Sequence, residues 1–246
     1  MIPDYYLIFI VLMIVCAGLC ASASAKVNSA YRAYGRMPNS SRMTGYDTAV
    51  RLLRKNGVED ITVGRVRGTL TDHYHPSKKV VNLSESVYGD ASIAAVAVAA
   101  HEIGHVMQKK EGYAFYKLRT VLVPITNFGS RLALPLVLVG VLLDVFVGFN
   151  QGSNLGFTLA LLGVAMYGLS TIFTFVTLPV ELDASKRAKR MLLEAGILRE
   201  EEIPYADKML DAAAKTYVAS MITSLVYFLR FVMWVMILFG GRSRRD

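Results

Sequence analysis

Residues 155–180 read LGFTLALLGVAMYGLSTIFTFVTLPV, a run of 26 residues without Asp, Glu, Lys or Arg. A helix of this length exceeds the hydrocarbon core of a bilayer, which is about 30 Å thick, so the run predicts a transmembrane helix. The composition agrees, because 54% of the residues are hydrophobic and 19% are charged, against about 45–50% and about 25% in soluble domains. An ordinary soluble enzyme and a disordered protein are thereby excluded.

A second apolar run, Tyr5–Ala25, has 21 residues without a charge and predicts an N-terminal transmembrane anchor over residues 1–25. The alternative is a cleaved signal peptide, since the run ends in the small residues ASASA. A signal peptide normally begins with basic residues and has an apolar core of about 7–15 residues. The residues before this run, MIPD, carry no positive charge, and the run is longer, so the anchor is favoured.

Two more apolar runs complete the predicted membrane part. The short loop Asn150–Asn154 separates Leu132–Phe149 from the run at 155–180. The two runs therefore predict a transmembrane hairpin within residues 121–180. The last run lies within residues 218–246, which we interpret as a C-terminal apolar helix with a basic tail. Arg230 near its centre leaves open whether this helix crosses the bilayer fully or lies partly in the interface.

The net charge is +8, from 27 Lys and Arg against 19 Asp and Glu. The basic residues flank the apolar runs, which indicates contact with a lipid bilayer and not with nucleic acid. The flanking residues are Lys26, Arg32, Arg36, Arg42, Lys109, Lys110, Lys117, Arg119, Lys186, Arg187, Lys189 and Arg190. This distribution predicts a multi-pass protein of the cell membrane whose active site faces the cytoplasm. The tail arginines, Arg242, Arg244 and Arg245, do not fit this orientation if the last run spans.

Residues 26–120 are predicted to form a water-facing part with both helices and strands. Thr44–Lys55 has the apolar spacing of a helix. Ile61–Arg67 alternates apolar and polar residues as a half-buried strand does, and Lys79–Leu83 is interpreted as its partner strand. A long helix rich in Ala and Val follows at Ile93–Lys109, with an Asp and a Ser before it that offer N-cap oxygens.

This last helix contains His101-Glu102-Ile103-Gly104-His105, an HExxH pattern. Residues four apart lie on one face of a helix, so both imidazoles can reach one Zn²⁺. Glu102 lies beside that ion and can take a proton from a water molecule. The structural alternative is a helix whose histidines only make hydrogen bonds in a core. Against it, two of the four histidines of the chain lie in this one pattern.

Catalytic zinc usually has three protein ligands and one water molecule, so a third side chain is needed. No histidine follows the HExxH pattern, which leaves a carboxylate, His73 or His75. Glu181 is the strongest candidate, because it follows the apolar run directly and is predicted to open a helix with a small-residue face. Residues 181–217 then contain this helix and the next. Asp183, about 200° further round the helix, is expected to point away.

The segment Asp72-His73-Tyr74-His75-Pro76 supports two interpretations. A surface turn closed by Pro76 is favoured. Alternatively the segment lines the catalytic cleft, where His73 could donate a hydrogen bond to an oxyanion. The strand Lys79–Leu83 that follows has a predicted free edge, which could hold an extended substrate or simply pack in a hairpin.

Three segments carry a resemblance to a known family: NLSESVY at 82–88, SIAAVAVAAHEIGH at 92–105 and PVELDAS at 179–185. They look like the YugP-like family of membrane-bound neutral zinc metallopeptidases, and the match covers nearly the whole chain. More distantly they resemble the integral-membrane gluzincins that include the bacterial heat-shock membrane protease and the CAAX prenyl protease. The resemblance implies a mainly α integral membrane protein, with about four transmembrane or membrane-associated helices and a small α+β zincin-like catalytic domain.

The resemblance also implies roles for particular residues. It implies that His101, His105 and Glu181 hold one zinc ion and that Glu102 is the general base. At the position of Ser185, the wider group has an aspartate, and this aspartate orients a ligand histidine. Ser185 or Asp183 would then fill that role only in part.

The sequence therefore predicts a membrane-bound zinc-dependent endopeptidase that acts on peptide or protein substrates. An alternative from another class is a zinc-holding membrane adaptor that presents clients to another protein without cleaving them. Glu102 favours the enzyme, because a scaffold needs no general base. A transporter would need charged residues spread through several spans, and the few present give it little support. The sequence leaves open whether an adaptor partner or a homo-oligomer takes part.

Overall fold

The computed structural model describes residues 4–146 and 155–240, which are mostly helical. In chain order the elements are α1 (Asp4–Tyr34), α2 (Gly45–Lys55), β1 (Thr62–Val66), β2 (His73–His75), β3 (Val80–Ser84), α3 (Glu85–Tyr88), α4 (Ile93–Lys110), α5 (Ala114–Phe146), α6 (Leu155–Glu194) and α7 (Ile203–Gly240). The predicted loop Asn150–Asn154 and the arginines of the basic tail lie outside the described residues.

Four of the described helices, α1, α5, α6 and α7, are long and apolar enough to cross a membrane. This agrees with the prediction of a mainly α membrane protein with about four such helices. Large apolar side chains on these helices are exposed, for example Ile14 at 67%, Phe128 at 62% and Met236 at 66%. Contiguous apolar surface of this kind suits contact with lipid, since soluble proteins rarely expose it to water.

These helices extend beyond the apolar runs that predicted them, so the helical limits differ from the limits of the runs. α1 continues past Ala25 to Tyr34, and α5 begins at Ala114 and not near Leu132. Glu181 does not open a helix as predicted, because it lies inside α6, 26 residues after the first residue of that helix. Helical hydrogen bonding does not depend on side-chain polarity, so good helix formers such as Ala, Leu, Lys and Arg continue the helix where the apolar run stops.

The chain forms two compact units. The apolar unit consists of the described residues of Met1–Cys20, Leu118–Thr177 and Val218–Asp246. The α+β unit consists of Ala21–Lys117 and Leu178–Tyr217. The second unit is therefore assembled from two separated stretches of sequence.

In the apolar unit, α5 and α6 approach each other closely at two glycines. A Cβ atom added to Gly140 would lie 2.5 Å from the carbonyl oxygen of Gly156, and one added to Gly163 would lie 2.6 Å from that of Ala133. Close packing through small residues is the usual way in which helices associate in a membrane, where no hydrophobic effect drives them together.

The sheet of the α+β unit has the order β1-β3-β2, with β3 parallel to β1 and antiparallel to β2. The two strands predicted at 61–67 and 79–83 therefore pair with each other, as expected. The prediction of a surface turn at 72–76 is wrong, because His73–His75 pairs with Val80–Asn82 as a third strand. β3 thus has a partner on each side, so the predicted free edge of this strand is wrong as well.

α4 is the central buried helix of the α+β unit, and its predicted range is confirmed to within one residue. The Ser92 hydroxyl caps it by accepting a hydrogen bond from the backbone N–H of Ala95. The small residues of α4 pack in one core with apolar side chains of α2, β3, α6 and the segment after α6, among them Leu52, Leu53, Val81, Leu83, Leu192 and Ile197. Burial on all sides explains why α4 reads as almost uniformly apolar.

Gly104, inside the HExxH pattern, is where α4 meets α6. A Cβ atom added to Gly104 would lie 2.6 Å from the carbonyl oxygen and 3.1 Å from the Cα atom of Ala184. Both contacts are with backbone, which cannot rotate away as a flexible side chain could. The absence of a side chain here therefore sets the distance between the two helices that carry the candidate ligands.

We expect Gly104→Ala to destabilise the protein by about 1–3 kcal/mol, the usual cost of overpacking, although alanine favours the helix by up to about 1 kcal/mol. Thermal unfolding in detergent measures the effect, at roughly 2–4 °C per kcal/mol for a chain of this size. Gly89→Ala is the matched control, because a Cβ atom there meets nothing within 4 Å. Equal melting temperatures for the two variants would contradict the assigned role of Gly104.

Candidate metal centre

His101 and His105 project from one face of α4 into the same space. Their ring centroids are 4.8 Å apart and the rings are nearly perpendicular, at 86°. Their side chains are only 14% and 10% exposed, respectively. The helical spacing thus produces the arrangement that the sequence predicts, with two imidazoles side by side in a largely dry environment.

Glu181 reaches this pair from α6 and is almost completely buried, with 2% of its surface exposed. Its Oε2 atom lies 3.2 Å from Nε2 of His101 and 3.5 Å from Nε2 of His105. Zinc bound to nitrogen and oxygen at about 2.0–2.1 Å in a tetrahedron places neighbouring ligand atoms about 3.3 Å apart. The two measured separations match this value, so the donor types and their spacing fit a zinc ion.

Among the described residues, His101, His105 and Glu181 form a group whose ligand atoms all lie within 4.8 Å of one another. This group could therefore form a metal site. Neither His73 nor His75 belongs to it, so the alternatives that the sequence leaves open for the third ligand have no support from the geometry.

His73 and His75 make local contacts instead. The Nδ1 atom of His73 lies 2.9 Å from the carbonyl oxygen of Thr71, and its Nε2 atom lies 3.1 Å from the side-chain nitrogen of Asn82. The Nδ1 atom of His75 accepts a hydrogen bond from the backbone N–H of Lys78 at 3.3 Å. His73 is also exposed, and its contact with an oxyanion stays a prediction.

The second ring nitrogen of His101 contacts Ser185. The Ser185 hydroxyl lies 3.1 Å from Nδ1 of His101, and Ser185 is buried. A neutral hydroxyl therefore faces this ring nitrogen. A hydroxyl can hold the ring orientation, but it supplies no negative charge to strengthen the ligand.

The second ring nitrogen of His105 contacts Gln108, a residue that the sequence analysis does not single out. The Oε1 atom of Gln108 lies 2.9 Å from Nδ1 of His105, and Gln108 is completely buried. The amide nitrogen of Gln108 donates to the carbonyl oxygen of Val180 at 2.7 Å and to Asp183 at 2.8 Å. Both amide hydrogens are thus used, so Oε1 must accept the proton on Nδ1, and Nε2 of His105 is left for a metal.

Asp183 differs from its predicted position. It is not part of the group of possible ligands, but it does not point away from the site either, because it accepts hydrogen bonds from Gln108 and, at 2.6 Å, from Arg187. The angle of Asp183 around α6 does not prevent this contact, because the long side chain of Gln108 reaches from α4 to α6. Asp183 therefore acts on His105 indirectly, through Gln108.

Two opposing effects act on the pKa of His105. Burial of the imidazole lowers its pKa, but the hydrogen bond and the negative charge of Glu181, with a further contribution from Glu102, raise it above its usual value. A proton on His105 therefore competes with a metal ion for the same nitrogen. Metal binding at this site should release that proton.

Glu102 occupies a different position from the ligands. It is buried at 8% exposure and, together with His101, forms part of the wall of a cavity of about 340 Å³. Among the described residues, no side chain donates a hydrogen bond to its carboxylate. Glu102 is therefore available to a water molecule in the cavity beside the two imidazoles.

The contact between Gln108 and His105 leads to a testable expectation. Gln108→Leu should lower zinc affinity by about 10–100-fold, the usual effect of removing a partner that orients a ligand histidine. Competition with a chromophoric zinc chelator measures this affinity. Met107→Leu, a volume-conserving change in the same helical turn, should leave it unchanged. Equal affinities of the two variants would show that Gln108 does not position His105.

Comparison with known proteins supports zinc as the metal of this chain. Residues 6–236 match the family described as "Putative neutral zinc metallopeptidase". The chain is 43% identical over 237 residues to "Putative membrane protease YugP" of Bacillus subtilis (strain 168), an alignment that covers 96% of this chain and 99% of that protein. No solved structure matches the chain. The resemblance found in the sequence is confirmed, and the chain belongs to this family of neutral zinc metallopeptidases.

Proposed function

We propose that the chain is a membrane-bound endopeptidase that hydrolyses peptide bonds, with zinc held by His101, His105 and Glu181. The observation that carries the proposal is the convergence of two imidazoles and one buried carboxylate from α4 and α6. Glu102, the general base in this proposal, lies next to these ligands on the wall of an open cavity. A structural ion pair would explain the buried carboxylate, but it would not require a second glutamate beside it.

Zinc, when bound, supplies Lewis-acid activation of a water molecule and of the scissile carbonyl group. The side chain of Glu102 takes one proton from the attacking water as the water oxygen bonds to the carbonyl carbon. Glu102 then delivers this proton to the amide nitrogen as the carbon–nitrogen bond breaks. The second water proton stays on the new carboxyl group and then passes to the amine. The products are a carboxylate and an ammonium group, and Glu102 returns to its ionised form.

Other residues keep the ligands in position. Gln108 fixes the tautomer of His105, and Asp183 and Arg187 in turn hold Gln108 and the face of α6. Ser185 does the same for His101. In this proposal none of these outer residues contacts the substrate.

The proposal includes the cellular setting. We propose that residues 1–25, 121–180 and 218–246 contain the membrane-spanning parts, while 26–120 and 181–217 contain the water-facing parts. The distribution of Lys and Arg supports a site that faces the cytoplasm. The substrate is a peptide or a protein, and the assignment does not require an additional partner.

Removal of zinc tests the proposed function directly. The full chain, purified in detergent, should contain about one zinc ion and cleave a mixture of unstructured peptides. A zinc chelator should abolish cleavage, and added Zn²⁺ should restore it. Cleavage that persists at zero zinc content would contradict the proposal, and zinc content without any cleavage would favour the adaptor function.

A further inference from the structure

The cavity beside Glu102 has a size and a position that suit part of a peptide. Its volume of about 340 Å³ lies within the range of about 300–1,000 Å³ that is usual for ligand pockets. His101 and Glu102 form part of its wall, whereas His105 and Glu181 do not. The cavity therefore opens on one side of the ligand group, the side from which the general base acts.

Apolar side chains form about half of the wall of this cavity, six of its thirteen lining residues. The polar and titratable members are Ser24, Asn28, Asp72, His101, Glu102, Thr216 and Tyr217. Its apolar members come from α1, α4, α7 and the segment between β1 and β2, and they are Val27, Leu70, Val98, Met209, Leu210 and Ala213. Met209 and Leu210 are only 2% and 3% exposed, so they are held by the surrounding core. Binding of an apolar group against these fixed apolar side chains is favourable, because apolar surface on both partners is removed from water.

The charged groups in the wall are acidic. Asp72 and Glu102 both line the cavity, and none of the described lining residues is Lys or Arg. Asp72 accepts hydrogen bonds from the backbone N–H and the hydroxyl of Ser84, at 2.7 and 2.9 Å. Burial of the carboxyl raises the pKa of Asp72, because the charged form loses hydration there. An acidic group entering the cavity would therefore meet two carboxylates and no lining Lys or Arg.

We propose that this cavity is a specificity subsite, which accepts a bulky uncharged apolar side chain of the peptide substrate and rejects an acidic one. This inference rests on the proposed function, because the side chain belongs to a residue close to the scissile bond. The carbonyl of that bond must lie near Glu102, so the side chains that flank it lie within reach of the same wall. Val27, Leu70 and Ala213 are the half-buried residues that set the shape of the subsite.

A peptide series tests the inference. The peptides differ at one position at a time around a single cleavage site, which is located by mass spectrometry, and carry Leu, Phe, Ala or Glu there. At one of these positions the wild-type protein should prefer Leu or Phe to Ala by about 10-fold or more in kcat/KM, the range expected for a hydrophobic pocket. Glu at that position should be the poorest substrate.

Ala213→Phe should fill the cavity. The variant should lose the preference for Leu and Phe, with a fall of about 10-fold or more in their kcat/KM and a smaller change for Ala. Lys215→Phe adds the same side chain two residues further along α7 at an exposed site outside the cavity wall, so it should keep the wild-type preference. Equal zinc content of both variants and the wild type controls for folding.

Leu70→Ala provides a second measurement that does not depend on the tolerance of α7 for phenylalanine. It should enlarge the cavity and shift the preference from Leu toward Phe. A flat preference in the wild type, or an unchanged preference in both cavity variants, would overturn the inference. If the wild type binds zinc but cleaves none of the peptides, the proposed function itself fails, which is a distinguishable result.

Discussion

Glu102→Gln should leave zinc content unchanged and lower peptide cleavage by about 10²–10⁴-fold, the contribution usual for general acid–base catalysis. Glutamine has nearly the same shape as glutamate, so it fills the same buried position, which is only 8% exposed. It cannot take a proton from water at neutral pH. Because Glu102 is not in the group of possible metal ligands, the affinity for zinc should be unaffected.

The measurements are zinc content by atomic emission and kcat/KM on the best peptide from the substrate series. Glu59→Gln is the matched control, because it makes the same chemical change at an exposed glutamate outside the cavity. Cleavage at the wild-type rate in Glu102→Gln would reject the role of Glu102 as the base. Loss of zinc from that variant would instead indicate that Glu102 supports the ligands.

Glu181→Ala should lose zinc. The carboxylate lies within 3.2 and 3.5 Å of the two imidazole nitrogens, and its removal leaves a site with only two protein ligands. The fall in affinity should exceed the roughly 10–100-fold loss caused by removing a residue that merely orients a ligand. Zinc content after dialysis should drop to near zero, and cleavage should drop with it.

Two further variants make this result specific. Glu194→Ala changes an exposed glutamate of the same helix and should keep zinc and activity. Glu181→Gln keeps the volume of the side chain but not its charge, so it separates loss of a ligand from creation of a cavity. It should also bind zinc weakly. Full zinc content in both Glu181 variants would contradict the role of Glu181 as the third ligand. His73, His75 and Asp183 would then be the candidates for that ligand.

The sequence alone predicts the central part of the site, because a spacing of four residues on a helix has one geometric outcome. His101 and His105 therefore lie side by side whatever surrounds them. The position of Glu181 depends on tertiary packing, and the sequence offers only its place after the apolar run. Gln108 could have been found by the same spacing rule, since it follows His105 by three residues and so shares its face. However, Gln108 is followed by two lysines, and this pattern predicts that it lies at a solvent-exposed end of the helix.

The fold is predictable in its elements but not in their limits. Apolar length predicts the four long helices, since a hydrocarbon core tolerates little else. Those helices continue beyond the apolar runs, as α6 does through Glu181 to Glu194. Backbone hydrogen bonds of a helix do not depend on the hydropathy of the side chains, so a change in hydropathy does not end the helix. The short strand His73–His75 is not among the elements that the sequence predicts. Its three residues pair with β3 across the short turn between His75 and Val80, and a segment of this length carries too little alternation to predict a strand.

The division of the α+β unit into Ala21–Lys117 and Leu178–Tyr217 has a consequence during synthesis of the protein. A ribosome completes the HExxH motif while Glu181, 80 residues after His101, is still to be translated. At about 5–20 residues per second this interval lasts on the order of ten seconds. The nascent chain thus carries an incomplete zinc site until the end of α6 emerges, so under the proposed function it cannot yet cleave a peptide bond while it is inserted into the membrane.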